Sequence, residues 1–359
     1  MQTIERKCLA RRWILAKAAQ LAPVEPIQLE RCILAFELLG RIADSGIPFI
    51  FKGGTAVLLR LKQLRRLSVD VDISSRCQAD KLERTLTEIG RRPPFLGCEE
   101  RQRRQPPLPK KRHFYFRFKS AITGEDGDVI ADVLEEDDLY PVVEKVPVKM
   151  PFFNPDHRVL VRVPTVEGLL GDKLTAFAPT TVGLPYDAES PVDIIKQLFD
   201  IGQLFDGAGD LATVCDTYGR VFAAENHYRG DKFTAHAALD DTYEAALLLC
   251  SYDIAKITKA ANAALLVAGV KNLRPLLVQS TFNMPEAKAA AAKAALLSRI
   301  VKQDRRSQNL DSLRFNPTST TRLQSATLKN PYQFLTKLRG TTDEAFHYWH
   351  TIQSVFGAL

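Results

Sequence analysis

Two aspartates one residue apart are the first feature of this sequence that could do chemistry. Asp70 and Asp72 lie in residues 67–73, where apolar and polar side chains alternate. A period of two is typical of a strand, so both carboxylates are predicted to lie on one strand face. Carboxylate oxygens are the ligands that hard divalent cations prefer. The pair therefore predicts a metal site, with two solvated acids on an exposed sheet face as the alternative.

A glycine pair precedes these acids in the chain. Gly53 and Gly54, followed by Thr55, lie between a predicted apolar strand over 47–51 and a predicted helix over 56–61. Backbone amides at such a turn can approach a phosphate closely, and the start of a helix favours anions. A glycine pair alone indicates only a tight turn, but the order strand, glycine turn, helix, acidic strand is that of a nucleotidyltransferase site. It predicts binding of a nucleoside triphosphate together with Mg²⁺ or Mn²⁺.

Asp132 is the predicted third carboxylate of this site. It lies inside the short apolar stretch 129–134, where an unpaired charge would be costly unless a metal or a partner used it. We therefore predict that Asp132 binds metal, with a structural pairing to a neighbouring base as the alternative. The acids that follow are predicted to form a solvated strand end: Glu135, Glu136, Asp137 and Asp138.

The elements that must position these residues follow from hydrophobic periodicity. Residues 27–44 place apolar groups on one helical face, and residues 79–91 form a second predicted helix. Strand-like alternation returns in 113–119 and 129–134, and a turn around Gly124 joins these two stretches as a hairpin. The mixture of strands and helices predicts an α+β fold.

The C-terminal half is predicted to be helical. A helix is expected over 165–177, another over 192–205, and residues 206–359 have almost entirely helical periodicity. The alanine-rich stretch 286–299 is predicted to be a solvated helix, because alanine has the highest helix propensity. We expect a nucleotidyltransferase domain with N-terminal helices over 1–205 and a helical domain over the remainder.

Composition narrows the class of protein. The formal charge of +7 suggests an acidic partner without separating nucleic acid, nucleotide and phospholipid. The six cysteines include no CxxC pair, and the six histidines show no metal-ligand spacing with them, so we assign neither type a role in the chemistry. No segment approaches the roughly 18 uncharged apolar residues of a membrane helix. A cytoplasmic protein without membrane association is predicted.

A basic segment precedes the predicted hairpin. Its composition is compatible with phosphate tracking and base stacking on RNA, and transfer RNA is the hypothesis for its partner. The alternative is a solvated basic loop followed by an ordinary half-buried strand. The residues concerned are Arg91, Arg92, Arg101, Arg103, Arg104, Lys110, Lys111 and Arg112, with Phe114, Tyr115 and Phe116 after them.

Four stretches carry a resemblance to a known family. Residues 52–56 (KGGTA) and 66–72 (RLSVDVD) resemble the AbiEii/AbiGii nucleotidyltransferase family, which includes the MenT toxins. The resemblance continues at 171–176 (GDKLTA) and 196–201 (KQLFDI), which match the later lysine and aspartate motifs of the family. It implies a polymerase-beta-like nucleotidyltransferase core with a helical C-terminal domain. It also implies a toxin of a type IV toxin–antitoxin or abortive-infection system, with a cognate antitoxin protein.

The same resemblance implies roles for individual residues. Asp70 and Asp72 would bind metal, Lys173 would contact the triphosphate, and Asp200 would orient groups of the active site. The nucleotide-binding set would comprise Lys52, Gly53, Gly54, Thr55, Arg66 and Ser68. From the residues alone, Lys173 could also be an exposed helix lysine, and Arg66 and Asp200 could form ordinary ion pairs. Gln197 departs from the family pattern, because many relatives carry an acid there.

The reaction predicted from these observations is transfer of a nucleoside monophosphate from a triphosphate to an acceptor, which the resemblance implies is the 3′ end of transfer RNA. Two alternatives remain open. One is a catalytically idle, nucleotide-binding regulatory protein. The other is transfer to a protein or small-molecule hydroxyl, which the same metal chemistry allows.

Overall fold

The computed structural model describes residues 3–102, 110–136, 138–153, 159–186, 190–255, 259–319 and 321–357. The chain divides into two compact units. The first comprises Met1–Thr165 with Arg274–Thr281, and the second comprises Val166–Leu273 with Phe282–Leu359. The predicted α+β class is confirmed, because strands are described in the first unit and helices in both. The division differs from the predicted boundary after residue 205, since residues 166–205 pack within the second unit.

The first unit contains helices, a mixed sheet and a two-stranded ribbon, and a short 3-10 helix, Arg6–Leu9, lies near its start. In chain order the elements are α1 Arg11–Gln20, α2 Pro26–Asp44, β1 Ile50–Lys52, α3 Gly53–Arg60, β2 Val71–Ser74, α4 Ala79–Gly90, β3 Phe95–Glu100, β4 Lys111–Lys119, β5 Asp126–Leu134, β6 Val143–Pro147 and β7 Leu160–Pro164. The sheet has the order β1-β2-β5-β4-β3, and the ribbon is β6-β7. Strands β2 and β5 are parallel, whereas the other neighbouring pairs are antiparallel.

The predicted order of strand, glycine turn, helix and acidic strand is confirmed, and so are α2, α4 and the β4–β5 hairpin. Three strands were missed. β3 lies inside the basic segment, between Arg92 and Arg101, and β6 and β7 follow the β4–β5 hairpin. All three strands are short, and whether such a strand forms depends more on the strand that it pairs with than on its own sequence. β2 is also shorter than the predicted strand, so Asp70 directly precedes it.

The second unit is built from helices, as predicted. The short 3-10 helices Arg274–Leu276, Asp311–Leu313, Pro317–Ser319 and Gln333–Leu338 also occur in the chain, and the first of them belongs to the first unit. The α-helices are α5 Val166–Ala176, α6 Pro191–Gly207, α7 Leu211–Tyr228, α8 Ala235–Ser251, α9 Ala260–Asn272, α10 Met284–Lys302, α11 Thr321–Gln324 and α12 Asp343–Phe356.

The alanine-rich helix α10 is a correction to the sequence analysis. It was predicted to be solvated, yet every residue from 287 to 300 is buried. α10 packs against α6, α8 and α12, because alanine side chains are small enough to let several helices approach one backbone. Its buried Lys293 ammonium is paired with Asp206 and Glu344, both at 2.8 Å. Helix propensity alone could not distinguish this crowded position from an exposed one.

Candidate active site

The glycine turn brings Asp72 against the start of α3. β1 ends at Lys52, and α3 begins at once with Gly53, whose φ of +74° suits glycine far better than other residues. A Cβ on Gly53 would lie 2.7 Å from Asp72 Cγ, well inside van der Waals contact. The residue must therefore be glycine for two reasons, its backbone conformation and the position of Asp72.

The absence of a side chain at Gly54 likewise lets the segment that precedes β2 lie close to α3. A Cβ there would lie 2.8 Å from Ser68 Oγ and 3.0 Å from a guanidinium nitrogen of Arg66. Arg66 is buried and donates a hydrogen bond to the carbonyl of Leu67 at 2.9 Å. The buried Thr55 hydroxyl donates to the carbonyl of Asp70 at 2.5 Å. The predicted nucleotide-binding residues of α3 and of the 66–70 segment are thus brought together.

Four polar residues form a row across the sheet. In the strand register, Lys52 on β1 lies opposite Asp72 on β2, and Asp72 lies opposite Asp132 on β5. Asp132 in turn lies opposite His113 on β4. Directly paired residues on neighbouring strands project from the same face of a sheet. Asp72 and Asp132 therefore form an acidic row, in which the two carboxylates lie side by side, each partly buried, and Asp70 lies just before β2.

Asp132 is held by two cationic or potentially cationic side chains. Its Oδ1 lies 2.6 Å from His113 Nδ1, and its Oδ2 lies 2.5 Å from Lys111 Nζ. Burial raises the pKa of Asp132, but the Lys111 ammonium and the hydrogen bonds from Lys111 and His113 outweigh burial, so the pKa is lowered. Sequence reasoning missed both partners. β4 begins at Lys111, two residues before the predicted strand of 113–119, so the i and i+2 spacing places Lys111 and His113 on one face. No sequence signal predicts their pairing with Asp132.

Glu136 corrects the prediction of a solvated strand end. Its carboxylate lies 2.6 Å from Lys52 Nζ, and only 6% of its side chain is exposed. Lys52, predicted to bind nucleotide, is therefore also an ion-pair partner. Glu135 is partly buried and Asp138 is exposed, whereas Asp137 lies outside the described residues.

The donor chemistry of the site fits a magnesium or manganese ion. Mg²⁺ is usually held by one or two carboxylates together with substrate phosphates, and carboxylates of this kind are offered by Asp70 and Asp72. Within the described ranges, no group of three or more His, Cys, Asp or Glu residues is arranged to hold a metal ion unaided. Each oxygen of Asp132 accepts one contact, from Lys111 or from His113, and keeps a second lone pair that could contact a metal ion.

Lys173 and Asp200 meet in the second unit. Lys173 Nζ lies 3.1 Å from Asp200 Oδ2 and donates to Gln197 Oε1 at 2.7 Å. The side chains of Lys173 and Asp200 are 7% and 1% exposed. The alternative of an exposed helix lysine is therefore wrong. Gln197, which replaces the acid of many relatives, supplies a neutral acceptor to the same ammonium.

The family model described as nucleotidyl transferase AbiEii toxin, type IV toxin–antitoxin system, matches residues 37–317 of this chain. The chain belongs to the AbiEii family. It is a nucleotidyltransferase, and the resemblance noted from the four sequence stretches is confirmed. No curated protein sequence matches it.

Two solved structures from Helicobacter pylori are similar to this AbiEii protein. JHP933 has 13% sequence identity and a TM-score of 0.41, with 79% of this chain and 98% of that chain covered. A presumed nucleotidyltransferase has 12% identity and a TM-score of 0.41, with 80% and 99% covered. Among the described residues, no helix of the AbiEii protein is both long and apolar enough to cross a membrane.

Part of the basic segment of the AbiEii protein forms internal contacts. Phe114 and Phe116 are buried, so the prediction that they stack on bases is wrong for both. The Arg112 guanidinium bonds Glu100 and Glu83, at 2.5 and 2.9 Å. Arg101 bonds Glu99 and Asp128, and lies 4.4 Å from the centre of the Tyr115 ring. Arg103 and Arg104 lie outside the described residues.

Proposed function

We propose that this protein transfers a nucleoside monophosphate from a triphosphate to an acceptor in a metal-dependent reaction, as the toxin of a type IV system. The observation that carries the proposal is the in-register pair of Asp72 and Asp132, with Asp72 packed against Gly53 at the start of α3. A metal–triphosphate site needs anionic oxygens that hold the metal and, beside them, amides of a helix N-terminus that bind the phosphates.

Each residue has a defined task in this reaction. Asp70 and Asp72 would hold the ion, and the amides of Gly53 and Gly54 would meet the phosphates. When bound, Mg²⁺ or Mn²⁺ neutralises the triphosphate and stabilises the departing pyrophosphate. Asp132 completes the acidic row beside Asp72. The remaining members of the nucleotide-binding set, Lys52, Thr55, Arg66 and Ser68, hold the turn and offer donors to the phosphates.

Lys173 and Asp200 are proposed to have the roles that their family motifs imply. Lys173 would contact the triphosphate as a point charge, and Asp200 would orient groups of the active site or the incoming hydroxyl. Their 3.1 Å contact supports this proposal, because the buried Asp200 carboxylate fixes the position of the Lys173 ammonium.

The proposed acceptor is the 3′ end of transfer RNA, and the proposed partner is an antitoxin protein. The net charge of +7 supports a polyanionic acceptor. The exposed Lys110 directly precedes β4 and is adjacent in sequence to Lys111, whose ammonium pairs with Asp132. Membership of a family of type IV toxins supports the proposal that an antitoxin protein is its partner.

The test is incubation of the protein with magnesium, each labelled nucleoside triphosphate in turn and total transfer RNA. Asp72→Ala should abolish labelling, whereas the exposed helix residue Asp80→Ala should not. Label on RNA that depends on Asp72 establishes the proposal and identifies the nucleotide. Label on protein or on a small molecule would replace the acceptor. Triphosphate binding without any labelled acceptor would favour the idle regulatory alternative.

A further inference from the structure

The imidazole of His113 is buried beside the acidic row, and the proposed reaction gives it no role. His113 lies on β4 directly opposite Asp132 on β5, and its side chain is only 4% exposed. The Nδ1–Oδ1 distance is 2.6 Å, which is a short hydrogen bond. Both residues are interior positions of their strands, so the backbone fixes the two ends of this contact.

An ionised carboxylate can only accept hydrogen bonds, so Nδ1 of His113 must carry the proton that it shares with Asp132. This holds for the neutral ring and for the charged ring alike. The contact therefore defines which ring nitrogen is the donor and fixes one of the two oxygens of Asp132.

Lys111 holds the other oxygen in a different manner. Its side chain is 29% exposed, against 4% for His113. A lysine ammonium ends a flexible four-carbon stem, whereas an imidazole has two side-chain torsions and is enclosed here. His113 is thus the more rigid of the two partners, and Lys111 is the one that solvent can reach.

We propose that His113 is a positioning residue that holds the carboxylate of Asp132 alongside Asp72, in the orientation required for binding a metal–triphosphate. The inference rests on the proposed function, since it assigns Asp132 to that site. Loss of a hydrogen-bonding partner behind a metal-binding group typically weakens metal affinity or activity by about 10–100-fold. The same loss is therefore expected when His113 is removed.

The experiment measures binding of Mn²⁺ with inorganic tripolyphosphate by electron paramagnetic resonance, which requires no acceptor and no turnover. His113→Ala should weaken binding about 10–100-fold. His113→Asn should retain binding within about threefold, because its amide nitrogen can take the place of Nδ1. The control is His227→Ala, which removes an exposed His–Asp contact of 3.2 Å in the second unit and should leave binding unchanged.

A spectroscopic signature accompanies the binding measurement. The wild type should show a downfield Hδ1 proton resonance that disappears in His113→Asn and in Asp132→Asn. If the alanine variant does not fold, His113→Gln replaces it, because its amide lies one methylene further out and should not restore binding.

Three outcomes would overturn the inference. Equal binding by the wild type and His113→Ala would remove it while leaving the metal site in place. Binding as weak in His113→Asn as in His113→Ala would show that the ring only fills space. Absence of Mn²⁺–tripolyphosphate binding in the wild type itself would overturn the proposed function, and this inference with it.

Discussion

Asp72 on β2 and Asp132 on β5 are directly paired residues of neighbouring parallel strands, although a helix and two strands separate them in the chain. The parallel pairing aligns the two side chains on one sheet face. Like charges placed this close destabilise a sheet unless a cation lies between or behind them. Here Lys111 and His113 lie behind Asp132, and Lys52 is paired in register with Asp72.

Substitution of Gly53 tests two roles of this residue, its left-handed backbone conformation and the space that it leaves for Asp72. Gly53→Ala should abolish metal–triphosphate binding, because its Cβ would displace Asp72. The matched control is Gly46→Ala, which has a similar φ of +77° but nothing near the new Cβ. The left-handed conformation should cost each variant about 1–2 kcal/mol of stability in urea denaturation, and Gly53→Ala should lose more because its Cβ also meets Asp72. Loss of binding in both variants would contradict the role given to Asp72.

The pKa of Asp132 makes stability depend on pH. Lys111 and His113 lower this pKa below its ordinary value of 3.8 although burial opposes them. The carboxylate therefore stabilises the fold at pH values above 3.8, and the contribution is lost as the pH falls through the lowered pKa. Asp132→Asn should cost about 1.5–3 kcal/mol at pH 7, as expected for hydrogen bonds to a charged group. Denaturation curves at several pH values should show the difference shrinking towards acid, and a growing difference would contradict the assignment.

The Lys173–Asp200 pair should be sensitive to removal of either partner. Lys173→Met leaves Asp200 buried without its cation, and such losses cost about 3–5 kcal/mol. Lys196→Met on α6 is the control, because Lys196 and Asp193 are more exposed and such pairs contribute under about 1 kcal/mol. Chemical denaturation compares the two variants. The double variant Lys173→Met with Asp200→Asn should recover part of the loss, and strict additivity would show that the two residues do not interact.

Lys110 tests the proposed RNA acceptor without disturbing the acidic row. Lys110→Glu should weaken retention of transfer RNA and reduce its salt dependence, while Mn²⁺–tripolyphosphate binding stays the same. Lys111 is unsuitable for this test, because its ammonium pairs with Asp132. Lys81→Glu on α4 introduces the same charge change at another exposed position. Equal loss of RNA binding in both variants would indicate a general effect of charge and no contact at Lys110.

Several features of the fold followed from local patterns. The β4–β5 hairpin, the helices α2 and α4, and the glycine turn were predicted correctly, since their periodicity and turn residues lie within short windows. The strands β3, β6 and β7 were missed, and the burial of α10 was predicted wrongly. Those features depend on which surfaces meet, and propensity carries little information about that.

The sequence by itself determined that Asp70 and Asp72 follow a glycine turn, and that a strand runs through residues 113–119. These predictions follow from the geometry of glycine and from the two-residue period of a strand. Only the tertiary structure decided that β5 would pair with β2 on one side and β4 on the other. That pairing places Asp132 between Asp72 and His113. Strand pairing is set by burial and packing across distant parts of the chain, so no local pattern could reveal the partners of Asp132.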